Sequence, residues 1–399
     1  MSVTALDASS LLPAYTPPAV VPSYLPEPGN GERLIERAPH SKSRRATGNY
    51  IKKCGRDTVV LTDQDATAEM PTYGRQAHIN GFVSMDKREL VLKVVLTVKG
   101  KIEVAISEGE SVSKTVVDEH CTLWPSQNHG GSMCPSTVPF STMLPAKFED
   151  GKGSYPLPPS YQAAFIASGG YNVKVIYTLS IAVVRTRKLN FMSTKNTTSV
   201  PFNYVPRTRP SRAIQPFVSG FFADIKLMPE EWRQTTALVS PRPKSTLPPV
   251  HIHLFIPAAE IFALGDTVPF HVQLTGAVAS LRAFLPDPSH KGPEIQVSLL
   301  RQLIAGQTSS VRFAAAHATL ASAPPGVHAP DSDEHASLDW AGELHCGPVI
   351  QVGSFDAGVL KMQDFIVVDI FPAAGTKSEF ARVRHSHPIR IVTDSWPDT

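Results

Sequence analysis

The sequence predicts an all-β protein: two antiparallel β-sandwiches in tandem behind a disordered N-terminal tail. Three observations carry that expectation. Proline makes up 36 of 399 residues, about 9% against a usual share of about 5%, which works against long helices. From residue 54 the apolar residues fall in short runs of strand length with a period of two, bounded by Gly, Pro, Asp and Asn. The same texture stops at a proline-rich connector and then restarts, so the chain reads as two units of similar length.

Residues 1–53 read as the tail, because Pro13, Pro17, Pro18, Pro22, Pro26, Pro28 and Pro39 leave room for neither period and Lys42-Ser43-Arg44-Arg45 adds self-repulsion. A first sandwich follows over 54–205. Its clearest strands are Leu90 to Gly100, Ile102 to Ile106 and Tyr171 to Val183. In the last of these Tyr171, Val173, Val175, Tyr177, Leu179, Ile181 and Val183 take every second position, so their side chains share one face. Residues 120–161 read as a loop-rich interruption. The connector is placed at 206–247, within a stretch from Pro201 to Pro249 that holds nine prolines, and Pro229-Glu230-Glu231-Trp232 there reads as one short helix start. The second sandwich is expected over 248–395, from Val250 to Ile256 through Val268 to Leu274, Glu294 to Leu303, Val311 to Ala316, Val349 to Val352 and Val359 to Ile370 to Ile389 to Val392, with 321–345 as a polar loop.

Charge and composition exclude several classes. No run approaches the roughly 18 to 20 consecutive apolar residues of a spanning helix, and Met1 to Ser10 hold Asp7 but no Lys or Arg, unlike a secretory signal. Four scattered cysteines, Cys54, Cys121, Cys134 and Cys346, make no disulfide framework and fit a reducing cytoplasmic compartment. The net charge is +3, but residues 181–244 carry 11 basic and 3 acidic groups while 245–399 carry 9 and 15. The basic stretch could face acidic lipid, phosphorylated peptide or nucleic acid, or be a solvated linker. Its candidate anion contacts are Arg185, Arg187, Lys188, Arg207, Arg209 and Arg212. No aromatic platform interleaves with them, so nucleic acid is not expected as a partner.

The chemistry-bearing motifs point away from catalysis. There is no nucleophile elbow, P-loop, dinucleotide fingerprint or paired-histidine zincin helix. His251-Ile252-His253 puts two imidazoles on one strand face, as a metal-dependent β-sandwich enzyme would, but the nearest glutamate is Glu260, and structural histidines are the simpler reading. His120-Cys121 with His129 and Cys134 offers zinc-capable ligands at a spacing that fits no common module. No metal or cofactor is expected. In the tail, Leu12-Pro13-Ala14-Tyr15 and Val21-Pro22-Ser23-Tyr24 are relaxed forms of the Pro-Pro-x-Tyr ligand of WW domains, in which Leu12, Pro13, Tyr15, Pro22 and Tyr24 would carry recognition. The full match, Pro158-Pro159-Ser160-Tyr161, directly precedes a core strand and reads as structural.

In order along the chain, Pro71-Thr72-Tyr73-Gly74, Ile79-Asn80-Gly81-Phe82-Val83, Val138-Pro139-Phe140-Ser141-Thr142-Met143-Leu144-Pro145, Leu157 to Tyr161, Ile256-Pro257, Phe262 to Asp266 and Val268 to Leu274 together resemble the fungal α-arrestin-like proteins. The resemblance spans about residues 55–395. It implies the arrestin fold, two immunoglobulin-like sandwiches, and a non-enzymatic cytoplasmic adaptor peripheral to the plasma membrane or endosomes. Such an adaptor binds the tails of membrane-protein cargo and recruits a HECT-type ubiquitin ligase through WW domains, for endocytosis and sorting. A retromer-type arrestin-fold coat subunit is the alternative within that fold. The metal-dependent enzyme using His251 and His253 is the alternative outside it.

Overall fold

The computed structural model describes residues 32–34, 48–65, 67–107, 111–125, 133–165, 170–187, 190–214, 221–285, 294–306, 309–317, 319–320, 335–346, 350–371 and 379–396. Strands dominate, and the two α-helices, Phe221–Leu227 and Val278–Leu281, are short. Among the described residues no helix is long and apolar enough to cross a membrane.

The strands before residue 206 form two large sheets. One is four-stranded, in the order Gly48–Cys54, Asp57–Gln64, His78–Met85, Thr137–Met143. The other runs Thr72–Tyr73, Asn190–Tyr204, Tyr171–Arg187, Val91–Ile106, Val112–Trp124, with Tyr161–Phe165 also paired to Tyr171–Arg187. The two sheets share one apolar cluster, in which Val59, Leu61, Ile79 and Val83 of the first meet Val94, Leu96, Val98 and Ile102 of the second. The face expected from the Tyr171 to Val183 alternation is the buried one: Val173, Val175, Tyr177, Leu179, Ile181 and Val183 are at most 3% exposed. Gly100 lies opposite Tyr177 in the ladder, and a Cβ there would come within 2.6 Å of the Tyr177 ring. The glycine is therefore what admits an aromatic residue at that point of the core. The Tyr177 hydroxyl donates to the Pro158 carbonyl at 2.7 Å, which fixes the Pro158-Pro159 turn in the structural role expected for it.

The strands after residue 231 form two more sheets. One runs Trp232–Val239, Val250–Pro257, Thr267–Gly276, Ala336–His345, Thr319–Leu320. The other runs Ile261–Ala263, Val383–Val392, Leu360–Phe371, Glu294–Ala305, Ser309–His317, with Phe355–Asp356 on Leu360–Phe371. Pairing is antiparallel except for Thr72–Tyr73 in the first half and Ile261–Ala263 in the second. Sandwich-like packing of antiparallel sheets is thus the architecture of the described chain.

Four expectations need correction. The segment read as tail contains two strands among the described residues, Glu32–Leu34, which pairs with Thr208–Pro210, and Gly48–Cys54. The 120–161 region contains strands Thr137–Met143, Lys147–Glu149 and Ser154–Pro156, kept short by the prolines that hid them. Trp232–Val239, read as connector, is an edge strand, and the helix beside it lies earlier, at Phe221–Leu227, while Pro229–Glu231 is a single 3-10 turn. Ala336–His345, read as polar loop, is a paired strand whose inner face is Leu338, Trp340 and Leu344; its Ser337 and Asp339 lie on the other face, which made it look polar.

Candidate functional site

A cavity of about 700 Å³ lies between the halves, within the size range of small-ligand and peptide sites. The first half supplies Arg75, Leu157, Ser160 and the Asn203-Tyr204-Val205-Pro206 run that ends its longest hairpin; the second supplies Glu260, Ile261, residues 351–356, 361–365 and Arg390. Leu157, Val205, Ile261, Val352, Met362 and Phe365 make much of the wall apolar. The 351–354 segment has no regular strand, although Val349 to Val352 reads as one in the sequence; Val349 lies outside the described residues. It lies against the last long strand: the Ile391 amide donates to Ser354 Oγ at 2.8 Å, and a Cβ on Gly353 would meet the Ile391 carbonyl oxygen at 2.7 Å.

Beneath this wall sits a buried ion pair. Arg301 Nε donates to Asp364 Oδ1 at 2.7 Å and Nη2 to Oδ2 at 3.0 Å, while Nη1 donates to the Val352 carbonyl at 2.7 Å. Ser354 Oγ donates to Asp364 Oδ2 at 2.7 Å. Arg301 is 2% exposed and Asp364 1%. Such a pair holds its geometry because removal of either partner leaves an uncompensated charge in a low-dielectric interior.

The other acids on the cavity are also engaged. Asp356 pairs with Lys361 at 2.7 Å, and Glu260, held at φ 53°, accepts from His387 Nε2 at 2.8 Å and pairs with Arg233 at 3.4 Å. Arg75 differs: its Nε is buried with no hydrogen-bond partner among the described residues. Burial pushes the neighbouring Tyr204 hydroxyl up to about 12, with Arg75 acting in the opposite sense. The lining thus holds three basic residues, Arg75, Lys361 and Arg390, and three carboxylates, Glu260, Asp356 and Asp364, each carboxylate held by a neighbour.

The basic residues singled out in the sequence are used differently. Arg185 is not a surface anion contact: it is 7% exposed, and its guanidinium forks onto Asp57, with Nη1 to Oδ2 at 3.0 Å and Nη2 to Oδ1. Asn196 Nδ2 adds a bond to the same carboxylate at 2.9 Å. Alternation already put Arg185 in line with Val183 and Ile181 on the buried face, a signal outweighed by its basic neighbours. Arg187 ends a strand but its side chain, like Lys188 and its surroundings, lies outside the described residues. Arg207 forks onto Asp394, with Nε at 3.0 Å from Oδ2 and Nη2 on Oδ1, and so ties the connector to the end of the second half. Arg209 lies over the Trp396 ring at 5.8 Å, and Arg212 faces Glu231 at 3.4 Å.

His251 and His253 do share a strand face, with ring centroids 6.3 Å apart. Both nitrogens of His253 are taken: Gln234 Nε2 lies 2.9 Å from Nδ1 and Thr275 Oγ1 lies 2.8 Å from Nε2. Burial lowers its pKa, with His251 acting in the same direction. Among the described residues no group of three His, Cys, Asp or Glu side chains is placed to hold a metal ion. His120 bonds Thr97 and Asp118, each at 3.0 Å, Cys121 is exposed, and Cys134 is buried; His129 lies outside the described residues. Burial raises the Cys134 thiol and pushes Cys346 up to about 11, so both are held as thiols at neutral pH. The WW-ligand residues Leu12, Pro13, Tyr15, Pro22 and Tyr24 also lie outside the described residues.

Arg301, Asp364 and Arg75 were not singled out in the sequence. For the first two a signal existed: Arg301 is a lone charge inside the apolar run Val297 to Ile304, and Asp364 falls in line with Leu360, Met362, Ile366 and Val368 on the apolar face of its strand. Arg75 gave none. No family model matches the chain, and no curated protein matches it either.

Proposed function

We propose that the protein is a non-enzymatic adaptor of the arrestin-like class, acting on the cytoplasmic side of membranes. The cavity between its halves receives an extended segment of a membrane-protein tail that carries an acidic or phosphorylated side chain. The observation that carries this reading is the cavity itself: both halves line it with apolar side chains, its described acids are each held by a neighbour, and Arg75 stands on its wall. Apolar walls contributed by both halves suit a peptide, whose backbone and alternate side chains are read together. The tail segments at Leu12 to Tyr15 and Pro22 to Tyr24 then supply a handle for the WW domains of a ubiquitin ligase.

A panel of fluorescent membrane-protein tail peptides, acidic and phosphorylated, titrated by anisotropy tests the reading. At least one peptide is expected to bind, to weaken with rising salt, and to lose roughly tenfold or more with Arg75→Glu, as a charge-assisted contact would. Binding that is indifferent to Arg75→Glu, or no binding across the panel, overturns it. A pull-down of isolated ligase WW domains, lost in Tyr15→Ala/Tyr24→Ala, tests the tail separately.

A further inference from the structure

We propose that the outward face of the first half's six-stranded sheet is a docking surface for the anionic headgroups of a membrane. The inward face of that sheet fills the core, so every second residue of each strand is left on the other side. The ladder puts Lys195, Val184 and Lys93 on one rung of the outward face, Thr178 and Lys99 on another, and Ile176 and Lys101 on the next, with Lys174 beyond them. Lys93 and Lys101 are about 27 Å apart along their strand, and Lys195 lies two strands from Lys93, about 10 Å away. Lys93, Lys99, Lys101 and Lys195 are exposed, and Lys174 is half-buried.

The positive charge of this face comes from placement, not composition. Residues 54–180 hold 11 basic and 13 acidic groups, yet the face, with Lys195 of the adjoining strand, carries five lysines and two carboxylates. Asp118 pairs with Lys99 at 3.6 Å, and Glu103, opposite Lys174, pairs with Lys101 at 3.8 Å. Lys93, Lys174 and Lys195 form no ion pair with any described residue. Lys114 and Glu119 of the edge strand stand opposite Ile102 and Val98, on the inward side of the ladder. Between the lysines the face is paved with hydroxyls, from Thr97, Thr178, Ser180, Thr197 and Ser199. Hydrated ammonium groups on flexible stems suit the diffuse field of mobile phosphates, whereas a protein partner would call for aromatic or arginine anchors. The rungs also lack the aromatic rings on which single-stranded nucleic acid stacks. The inference does not use the cavity between the halves, so it stands apart from the adaptor reading.

Sedimentation of the full chain with phosphatidylcholine vesicles, with and without phosphatidylserine, tests it. The protein is expected to sediment with the phosphatidylserine vesicles alone and to be released by rising salt. Lys93→Gln/Lys174→Gln/Lys195→Gln is expected to weaken partitioning about fivefold per lysine, and so about a hundredfold in all; Lys93→Gln/Lys195→Gln stands in if the triple variant melts early. Arginine at the same three positions keeps the charge and is expected to keep the binding. Lys52→Gln/Lys53→Gln/Lys152→Gln, which removes exposed lysines elsewhere on the first half, is expected to change it little. Absence of sedimentation with phosphatidylserine vesicles overturns the proposal, as does equal sedimentation with neutral vesicles or equal weakening by the two glutamine triples. Binding of the face to polyglutamate without any binding to vesicles assigns it to an acidic protein and also overturns it. Vesicle binding without any cargo peptide binding contradicts the adaptor reading alone, and cargo binding without vesicle binding contradicts this inference alone.

Discussion

One face of the second half's six-stranded sheet serves two different cores. On Glu294–Ala305, Ile295, Val297 and Leu299 belong to the second half's own cluster, while Leu303 and Ala305 belong to the cluster of the first. On the neighbouring Leu360–Phe371 the same division recurs: Ile366, Val368 and Ile370 pack in the second core, Leu360 and Met362 in the first. Between the two sets, opposite each other in the ladder, stand Arg301 and Asp364. The first core therefore extends across the boundary between the halves, and a buried ion pair marks where it stops. Alternation along a strand specifies which face is buried; it does not specify against what.

Breaking that marker has the largest expected effect. Arg301→Ala strands Asp364 and is expected to cost about 3–5 kcal/mol in denaturant unfolding, whereas Arg301→Met/Asp364→Leu, which removes both charges, costs far less or nothing. Asp57→Ala, which strands the buried Arg185 in the first half, is expected to cost a similar amount, about 3 kcal/mol. The comparison is sharpened by where protection is lost, because no residue of the second half bonds Arg185 or Asp57 in the described network.

The next effect is smaller. Tyr177→Phe keeps the ring in the core and removes the bond to Pro158, for about 1 kcal/mol by the same measurement. Arg207→Ala removes a partly exposed pair with Asp394 and is expected to cost about 1 kcal/mol or less.

Acid sensitivity separates two groups of side chains. Burial lowers the pKa of His253 and His385, so the unfolded chain takes up protons first as pH falls. Stability is then expected to decline from about pH 6.5 downward, and His385→Gln to flatten that limb of a melting-temperature profile. Burial opposes ionisation of Asp369, but Arg384 and Arg382 outweigh it and hold the carboxyl below its ordinary value. Its contribution is present above about pH 4 and is lost as pH falls further, through the depressed folded value. A midpoint that stays level between pH 7 and 5 would remove the histidine part of this account.

Much of the fold was legible because strand burial writes a period of two. Tyr171 to Val183, Val250 to Ile256 and Val268 to Leu274 were readable for that reason. Ala336–His345 was obscured because its outer face carries Ser337, Asp339 and Glu343, so composition outweighed alternation. Trp232–Val239 was obscured by the flanking Pro229 and Pro241. The site was less legible than the fold. Its walls come from stretches more than a hundred residues apart, and Arg75 becomes noteworthy only when its neighbours leave its Nε without a partner. Local sequence carries no record of that juxtaposition, while Arg185 illustrates the opposite error, a charge read as surface because Arg187 and Lys188 follow it in the sequence.

The most direct test of the two-core account is hydrogen exchange on Arg301→Ala, resolved along the chain. If the sheet face carrying Arg301 is shared, protection falls in both halves, on Leu360–Phe371 and also on the first-half strands Val91–Ile106 and Tyr171–Arg187 whose cluster contains Leu303 and Met362. Loss confined to the second half, with those first-half strands unchanged, would contradict it.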